Sequence, residues 1–516
     1  MQLDIVKNTK RNIIFGFFNK AIMLMLPFLS RAIIIEKIGA EYLGIDGLFG
    51  SILHVLNLSE LGFSSAIVYS MYKPIANNET DTICALLALY RKVYRVVGIV
   101  IGILGLMIMP VLPHLIKGSY PSDVNLYILY IIYLCNTVIS YLMFAYKTSI
   151  LNAFQREDII STINTVSKVI LNLFQIFAVL IFKNYYIYVV ALPFSTIVNN
   201  LITDITVRKN FPQFVCRGRV SEEIQADIKI KVAGLMVSRL CGVSRNAFDS
   251  IFVSSFLGLI ATTMYNNYYY IVTALTSMIG IISTALIGGV GNRVALNDAE
   301  ANLEDMQKLD YIYMTISGWC AICLCCLYQP FMKIWVGEKL LFPFSSMLLF
   351  VIYFYCLKIG DIRSVYVAAT GLWWESKYRA IMEAVSNIVL NYLLGKYFGV
   401  NGIVVATIIT ILIFNFLYGS KIIFDNYFGR KKHLKYVVGH LKYAVITAGI
   451  GFITYILCNF YKGDALVEVF VRAIICCIVP ILLYTQIYKN TEIWMKTMGW
   501  LSGIIEFNGK KGKRKQ

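Results

Sequence analysis

Apolar runs of about 20 residues or more, the length of helix that crosses ~30 Å of hydrocarbon, recur between residues 13 and 487 with little room between them. With 58% hydrophobic residues, 15% charged residues and a mean hydropathy of +0.68, the chain lies far from the balance of a soluble globular protein. No stretch between the runs is long enough for a large soluble domain. The sequence therefore specifies an all-α integral membrane protein.

Apolar runs bounded by charge, proline or Asn/Gly clusters give fourteen candidate spans. Six are centred near Met23, Val55, Ile101, Cys135, Leu173 and Ala191. Six more lie near Ser244, Met278, Ala321, Ile352, Leu390 and Thr410, and a last pair near Gly451 and Cys476. The division between the fifth and sixth spans, at 183–188, is the least sharply marked. The first run, 13–35, follows Lys7, Lys10 and Arg11 as a signal peptide would. It is too long for an h-region and lacks an A-x-A site, so it reads as a retained first span.

The net charge of +18 raises the possibility of nucleic-acid binding, but Lys and Arg cluster in short connections between apolar runs, where they set orientation instead. Alternate connections carry the charge: Lys7/Lys10/Arg11, Arg91/Lys92/Arg95, Arg208/Lys209, Arg430/Lys431/Lys432 and the tail Lys510 to Lys515 on one side, isolated lysines such as Lys37, Lys117 and Lys462 on the other. The positive-inside rule then puts both termini in the cytoplasm, consistent with an even number of spans. The basic tail suits a topology signal and also contact with anionic lipid. Of twelve cysteines, Cys320, Cys323, Cys325 and Cys326 crowd within the apolar run 312–328. With no histidine nearby they read as small hydrophobic residues, with no metal site and no disulfide framework implied.

An offset of 219 residues aligns the first half of the chain on the second. Ser167 to Asn172, "SKVILN", falls on Ser386 to Asn391, "SNIVLN"; Pro74 to Asp81 falls on Arg293 to Glu300; Tyr94 falls on Tyr313, Gly39 on Gly258 and Lys20 on Arg239. A common offset at separated places points to duplication. Six helices per copy keep the same orientation, so the copies are expected to be related by an axis along the membrane normal, with a cavity between them. The expected organisation is a six-helix lobe over 1–213, a second over 214–430, an accessory helix pair over 431–490 and a basic cytoplasmic tail over 491–516. Between the lobes, "SEEIQADIK" suggests a short amphipathic helix.

An ionised side chain at the bilayer centre costs at least ~2.5–3.5 kcal/mol on insertion scales and is turned toward a protein interior or a wet cavity. The spans hold several: Lys20 and Arg31 in the first; His54 and Glu60 in the second; Arg239, Arg245 and Asp249 in the seventh; Lys358, Asp361 and Arg363 in the tenth. Spacing puts Arg245 with Asp249, and Lys358 with Asp361, on one helix face. Lys20, Arg31, Arg239 and Arg363 remain in excess. A cationic cavity built from Lys20, Arg31, Arg239, Arg245, Lys358 and Arg363 suits an anionic ligand, above all phosphate oxygens that a guanidinium binds two at a time. Glu60, Asp249 and Asp361 are candidates for binding a coupling H+ or Na+, or for interhelical salt bridges. His54 suits a core or interfacial position as well as proton transfer. Arg31 and Arg363, near span ends, also suit snorkelling to a headgroup.

The opening stretch "RNIIFGFFNKAIMLMLPFLSRAIIIEKIGAEYLGIDGLF", followed by "LNLSELGFSSAIVYSMYKPIA", resembles polysaccharide-biosynthesis transport proteins of the Wzx type, which belong to the multidrug/oligosaccharidyl-lipid/polysaccharide (MOP) exporter superfamily. The Arg31, Gly39, Tyr42-Leu43-Gly44 spacing and Glu60-Leu61-Gly62 carry the resemblance. It implies a MATE-like fold of two six-helix lobes and a C-terminal pair. It also implies a flippase that moves an undecaprenyl-pyrophosphate-linked oligosaccharide across the bacterial plasma membrane by alternating access, for O-antigen, capsule or exopolysaccharide assembly. The implied partners are that lipid-linked sugar, membrane lipids, and the polymerase and glycosyltransferases of the same pathway. No cofactor and no enzymatic step are implied. A multidrug or metabolite exporter of the same superfamily fits the fold, but the basic excess argues against organic cations as cargo. A membrane-embedded polymerase or ligase normally carries its catalytic groups on a large outer loop, and the outer connections here are short. No G-x-x-x-x-G-K-[ST] loop supports an ATP-driven pump.

Overall fold

The computed structural model describes residues 22–57, 63–372, 374–461, 463–500 and 502, with side chains at all of these except 63–66, 76, 227, 229–231 and 233–246. Among the described residues every regular element is helical, and each of the fourteen expected span centres lies in a helix. The chain packs as two compact units, Met1–Asn266 with Ile388–Ile403, and Asn267–Asn387 with Val404–Gln516. This division follows packing and differs from the repeat boundary expected at 213/214, because the long helix after that boundary packs on the second helix of the chain.

The first unit contains α1 (residues 22–37), α2 (Ala40–Leu56), α3 (Phe63–Ala76), α4 (Thr80–Ile108), α5 (Leu126–Leu142), α6 (Thr148–Ala153), α7 (Glu157–Phe182), α8 (Tyr185–Asn210) and α9 (Glu222–Leu257). Side-chain amides fix two of the starts. Asn125 Oδ1 accepts from the Tyr127 amide at 3.0 Å to cap α5, and Asn184 Oδ1 accepts from the Tyr186 amide at 2.8 Å to cap α8. Lys183, left-handed at φ 48°, ends α7 just before that cap, so the boundary between the fifth and sixth spans is a two-residue turn. The polar stretch "SEEIQADIK" is not a separate amphipathic helix. Its glutamates occupy the first turn of the 36-residue α9, where carboxylates favour the helix N-terminus. Val55 is not the middle of the second span either, since α2 ends at Leu56.

The remaining helices are α10 (Leu259–Leu296), α11 (Ala299–Val336), α12 (Phe344–Lys358), α13 (Asp361–Thr370), α14 (Lys377–Thr410), α15 (Gly419–Ile423), α16 (His433–Asn459) and α17 (Ala465–Tyr488). Nine helices among the described residues are long and apolar enough to cross a membrane, ten if the α5–α6 pair, bent by 47°, is one span. That count treats Lys377–Phe428 as a single 52-residue helix, although Gly399 breaks it at φ 58°, between the two spans expected there. Large apolar side chains such as Leu173, Phe177 and Ile181 on α7, or Leu466 and Phe470 on α17, stand exposed, as lipid-facing surfaces require.

The 219-residue repeat is visible in the bonding. Gly39 and Gly258 both carry positive φ, 136° and 88°, and each sits at a break immediately before a new helix. Ser30 Oγ donates to Asn172 Oδ1 at 3.1 Å, and at the positions 219 residues later Asn391 Nδ2 donates to Asp249 Oδ1 at 2.6 Å. The same helix pair is thus tied at the same depth in each copy.

Within the first unit the start of α2 lies directly on the start of α10. Thr263 Oγ1 donates to the Ala40 carbonyl at 2.6 Å, and a Cβ on Gly44 would lie 2.3 Å from the Leu259 carbonyl oxygen. Because that obstacle is backbone, Gly44→Ala is expected to destabilise the protein by about 1–3 kcal/mol through overpacking. A melting temperature in detergent equal to wild type would contradict so close an approach.

Candidate functional site

On α7, Asn164, Lys168, Asn172 and Gln175 recur at helical spacing and form one polar stripe. Each of the amides is bonded: Asn164 Oδ1 accepts from Asn199 Nδ2 at 3.0 Å, Asn172 from Ser30, and Gln175 Nε2 donates to the Tyr188 carbonyl at 3.4 Å. Lys168, near the middle of the 26-residue helix, is exposed on this stripe, within electrostatic reach of Asp46 on α2. Tyr188 of α8 lies within reach of both Asp46 and Arg31 of α1.

A chain of hydroxyls holds Asp46 in place. Tyr133 of α5 donates to Asp46 Oδ1 at 2.6 Å and lies 3.2 Å from the Tyr185 hydroxyl; Tyr185 donates to the Tyr42 carbonyl at 2.8 Å; and Tyr42 donates to Asp123 Oδ1 at 2.6 Å. Among the described residues, Lys168 therefore lies within electrostatic reach of Asp46, and Asp46 and Arg31 both lie within reach of Tyr188, on one polar face of the first unit. Apolar lipid would not solvate such a face, so it belongs to a wet surface. Its residues suit an anionic group bound by Arg31 and Lys168.

Among the residues singled out in the sequence, Lys20 and Glu60 lie outside the described residues, and Arg239 and Arg245 lie on α9 where the side chains are not described. Arg31 is half-buried in the cluster just given, and His54 is exposed in the last turn of α2. Asp249 is buried, 1% exposed, and accepts from Asn391 Nδ2 at 2.6 Å and from the Tyr265 hydroxyl at 3.1 Å.

In the second unit, Lys358 and Asp361 pair at 2.6 Å, as their three-residue spacing predicts, and Tyr313 adds a hydrogen bond to the same carboxylate. Arg363 sits in a fitted socket. A π-helical stretch, Ile411–Tyr418, displaces the Asn415 carbonyl from the regular helical ladder, and the guanidinium takes it along with Asn415 Oδ1 at 2.9 Å and Ser364 Oγ at 3.0 Å. A Cβ on Gly419 would lie 1.9 Å from Arg363 Nη1. Lys358 and Arg363, both 3% exposed, thus have fixed protein partners, where the sequence reading grouped them with ligand-facing cations.

Sequence reasoning passed over Asp46, Lys168, Tyr133 and Tyr185. It also passed over Asp310 of α11, buried in the second unit with its Oδ1 3.8 Å from His440 Nε2. Lys168 had a usable signal, an uncompensated cation inside an apolar run.

The second unit also contains an apolar cleft of about 840 Å³ walled by α11, α12, the π-helical stretch and α16, with Phe344, Val351, Tyr355, Phe416, Phe452 and Tyr455 among its lining residues. Its walls are hydrocarbon and aromatic rings, suited to an alkyl or isoprenoid chain.

Helical halves related by an internal repeat, polar groups at mid-span and a closing helix pair define a multi-pass membrane protein with the fold of the MOP exporters. Lipid II flippase MurJ in an inward closed conformation superposes with a TM-score of 0.68 at 15% identity, covering 93% of this chain and 99% of that one. An inward-facing multidrug resistance MATE family transporter gives 0.62 at 16%, covering 77% and 93%. A MOP superfamily transporter from Pyrococcus furiosus, described as having a binding pocket of reverse polarity, gives 0.54 at 16%, covering 81% and 96%. No curated protein matches at the sequence level. The chain belongs to the polysaccharide biosynthesis protein family, whose model matches residues 9–287.

Proposed function

We propose that this protein is a flippase that carries an undecaprenyl-pyrophosphate-linked oligosaccharide from the cytoplasmic to the outer leaflet of a bacterial plasma membrane. The observation that carries the reading is the placing of two cations, Lys168 within reach of Asp46 and Arg31 within reach of Tyr188, on a polar face of otherwise apolar spans. Cations there suit a pyrophosphate that must cross hydrocarbon. Membership of the polysaccharide biosynthesis family and likeness to a lipid II flippase support a lipid-linked sugar over a free drug.

Transport proceeds by alternating access, with both termini cytoplasmic, and the product passes to a polymerase or glycosyltransferase making O-antigen, capsule or exopolysaccharide. Asp249, buried beside Asn391 and Tyr265, is the carboxylate to receive a coupling Na+ or H+. Deleting the gene in its native host and probing the leaflets with a sugar-binding protein that cannot cross the membrane tests the reading. Lipid-linked oligosaccharide should build up on the cytoplasmic side as surface polysaccharide is lost. Unchanged lipid-linked sugar would favour export of a small molecule instead, and build-up on the outer side would point to a later enzymatic step.

A further inference from the structure

Three buried cysteines of the second unit lie together. Cys326 of α11, Cys458 of α16 and Cys476 of α17 come from three helices, and their sulfur atoms lie within 4.8 Å of one another. All three are buried, at 0–1% exposure. A cysteine in a core packs as a small apolar group one at a time. Two thiols from the consecutive helices α16 and α17 meet a third from α11, more than a hundred residues earlier in the chain, and the three form a donor set.

Hydrogen bonds to the cysteine backbones set the helix registers that make the sulfurs meet. Trp319 Nε1 donates to the Cys476 carbonyl at 2.8 Å, and Arg472 Nη1 donates to the Cys326 carbonyl at 3.1 Å. Arg472 is itself fixed by Glu468 at 2.5 Å and by Asn459 Oδ1 at 3.1 Å. Supporting contacts of this kind orient metal ligands in known sites.

We propose that Cys326, Cys458 and Cys476 form a three-sulfur site for a soft monovalent d10 cation of the Cu(I) class, which pins the C-terminal helix pair to α11. Soft sulfur donors select Cu(I), zinc or iron–sulfur clusters, while structural zinc is almost always held tetrahedrally by four ligands. Among the described residues the set here is three cysteines, with no histidine or carboxylate among them. With metal–sulfur bonds of ~2.3 Å, a trigonal arrangement places the sulfurs about 4 Å apart, so the side chains need to close by less than about 1 Å. Binding replaces thiol protons with the metal, the protons leave to water, and no group is oxidised or reduced. A low ionic charge also suits the surroundings. Two thiolates, one thiol and one monovalent cation leave a single net negative charge, and the Arg472 guanidinium lies within electrostatic reach of the Cys458 sulfur.

The test uses the full chain, reduced and purified in detergent, titrated anaerobically with Cu(I) against a coloured Cu(I) chelator. One equivalent of Cu(I) per chain should be withheld from the chelator. Retention should be at least about tenfold weaker in Cys326→Ser and in Cys476→Ser, and unchanged in Cys477→Ser, whose thiol points elsewhere on the same helix. The melting temperature should rise with Cu(I) in wild type and in Cys477→Ser alone. If the serine variants do not fold, X-ray absorption at the copper edge of loaded wild type still decides: a shell of three sulfurs supports the site, and a nitrogen or oxygen shell overturns it. Equal retention by wild type and by the Cys326→Ser/Cys476→Ser double variant would also overturn it.

Discussion

Replacing Lys168 by alanine is expected to reduce delivery of lipid-linked oligosaccharide to the outer leaflet by about 10- to 100-fold, the loss that follows from removing one charge-assisted contact of ~1.5–3 kcal/mol to a pyrophosphate. The substitution removes a mid-span cation, which on its own makes membrane insertion easier by up to ~2.5–3.5 kcal/mol. A transport defect therefore cannot be traced to failed insertion, and protein levels should match or exceed wild type. Lys168→Arg keeps the charge on the polar stripe of α7 and should retain most of the activity, whereas Lys168→Gln, which keeps only length and polarity, should behave like alanine. The readout is the leaflet distribution of lipid-linked sugar together with the surface polysaccharide. Normal surface polysaccharide in a well-expressed Lys168→Ala strain would remove the anion-binding role from this face.

Why Lys168 escaped the sequence reading, although Arg31 did not, is a matter of what each stretch was compared with. "SKVILN" drew notice as one half of the repeat, and its lysine aligns with the neutral Asn387, so the charge was lost in the likeness. Asp46 sits in "GIDGLFG", with glycines on both sides. In the fold those glycines let α2 pack against α10, with Gly47 making room for the Asn266 side chain. The span centres were legible because a membrane helix is a local feature of about 20 residues. The Lys358–Asp361 pair was legible for the same reason, being fixed by spacing along one turn. Arg363 was not, since its socket is made by Asn415 and Gly419, more than fifty residues away, and depends on a π-helical stretch that no local pattern announces. The three-cysteine cluster is non-local in the same way.

The two copies of the repeat have diverged in charge. Ser30, Arg31, Lys168 and Tyr188 of the first copy correspond to Asp249, Ser250, Asn387 and Thr407 of the second. Where the first copy presents a lysine on α7 within reach of the Tyr188 helix, the second has a neutral bond, Asn387 Nδ2 to Thr407 Oγ1 at 3.0 Å. Where the first has a serine hydroxyl against Asn172, the second has a carboxylate against Asn391. At these matched positions the first copy thus carries two cations, and the second a buried carboxylate. Under the proposed function, cargo and coupling ion are bound at equivalent positions of the two repeat copies.

Asp249→Asn is accordingly expected to uncouple transport from the ion gradient. At 1% exposure the charge of this carboxylate is felt by the packed helices around it, so Na+ or H+ bound there can bias the conformational cycle. Asparagine keeps the shape and still accepts from Asn391 Nδ2 and the Tyr265 hydroxyl, so the fold should survive with a melting temperature close to wild type. In sealed vesicles an imposed sodium or pH gradient should accelerate translocation by wild type. The variant should lose that acceleration, by about tenfold or more for a coupling of ~1.4 kcal/mol, while keeping its ungated rate. The identity of the effective gradient names the ion, because only a proton-coupled carrier responds to pH at constant sodium. Equal acceleration of wild type and Asp249→Asn would move the coupling to another carboxylate, such as Asp46 beside Tyr133, Asp310 beside His440 or Asp361 beside Lys358. A wild type that responds to neither gradient would make the carboxylate purely structural, and would leave consumption of the flipped product as the driving force.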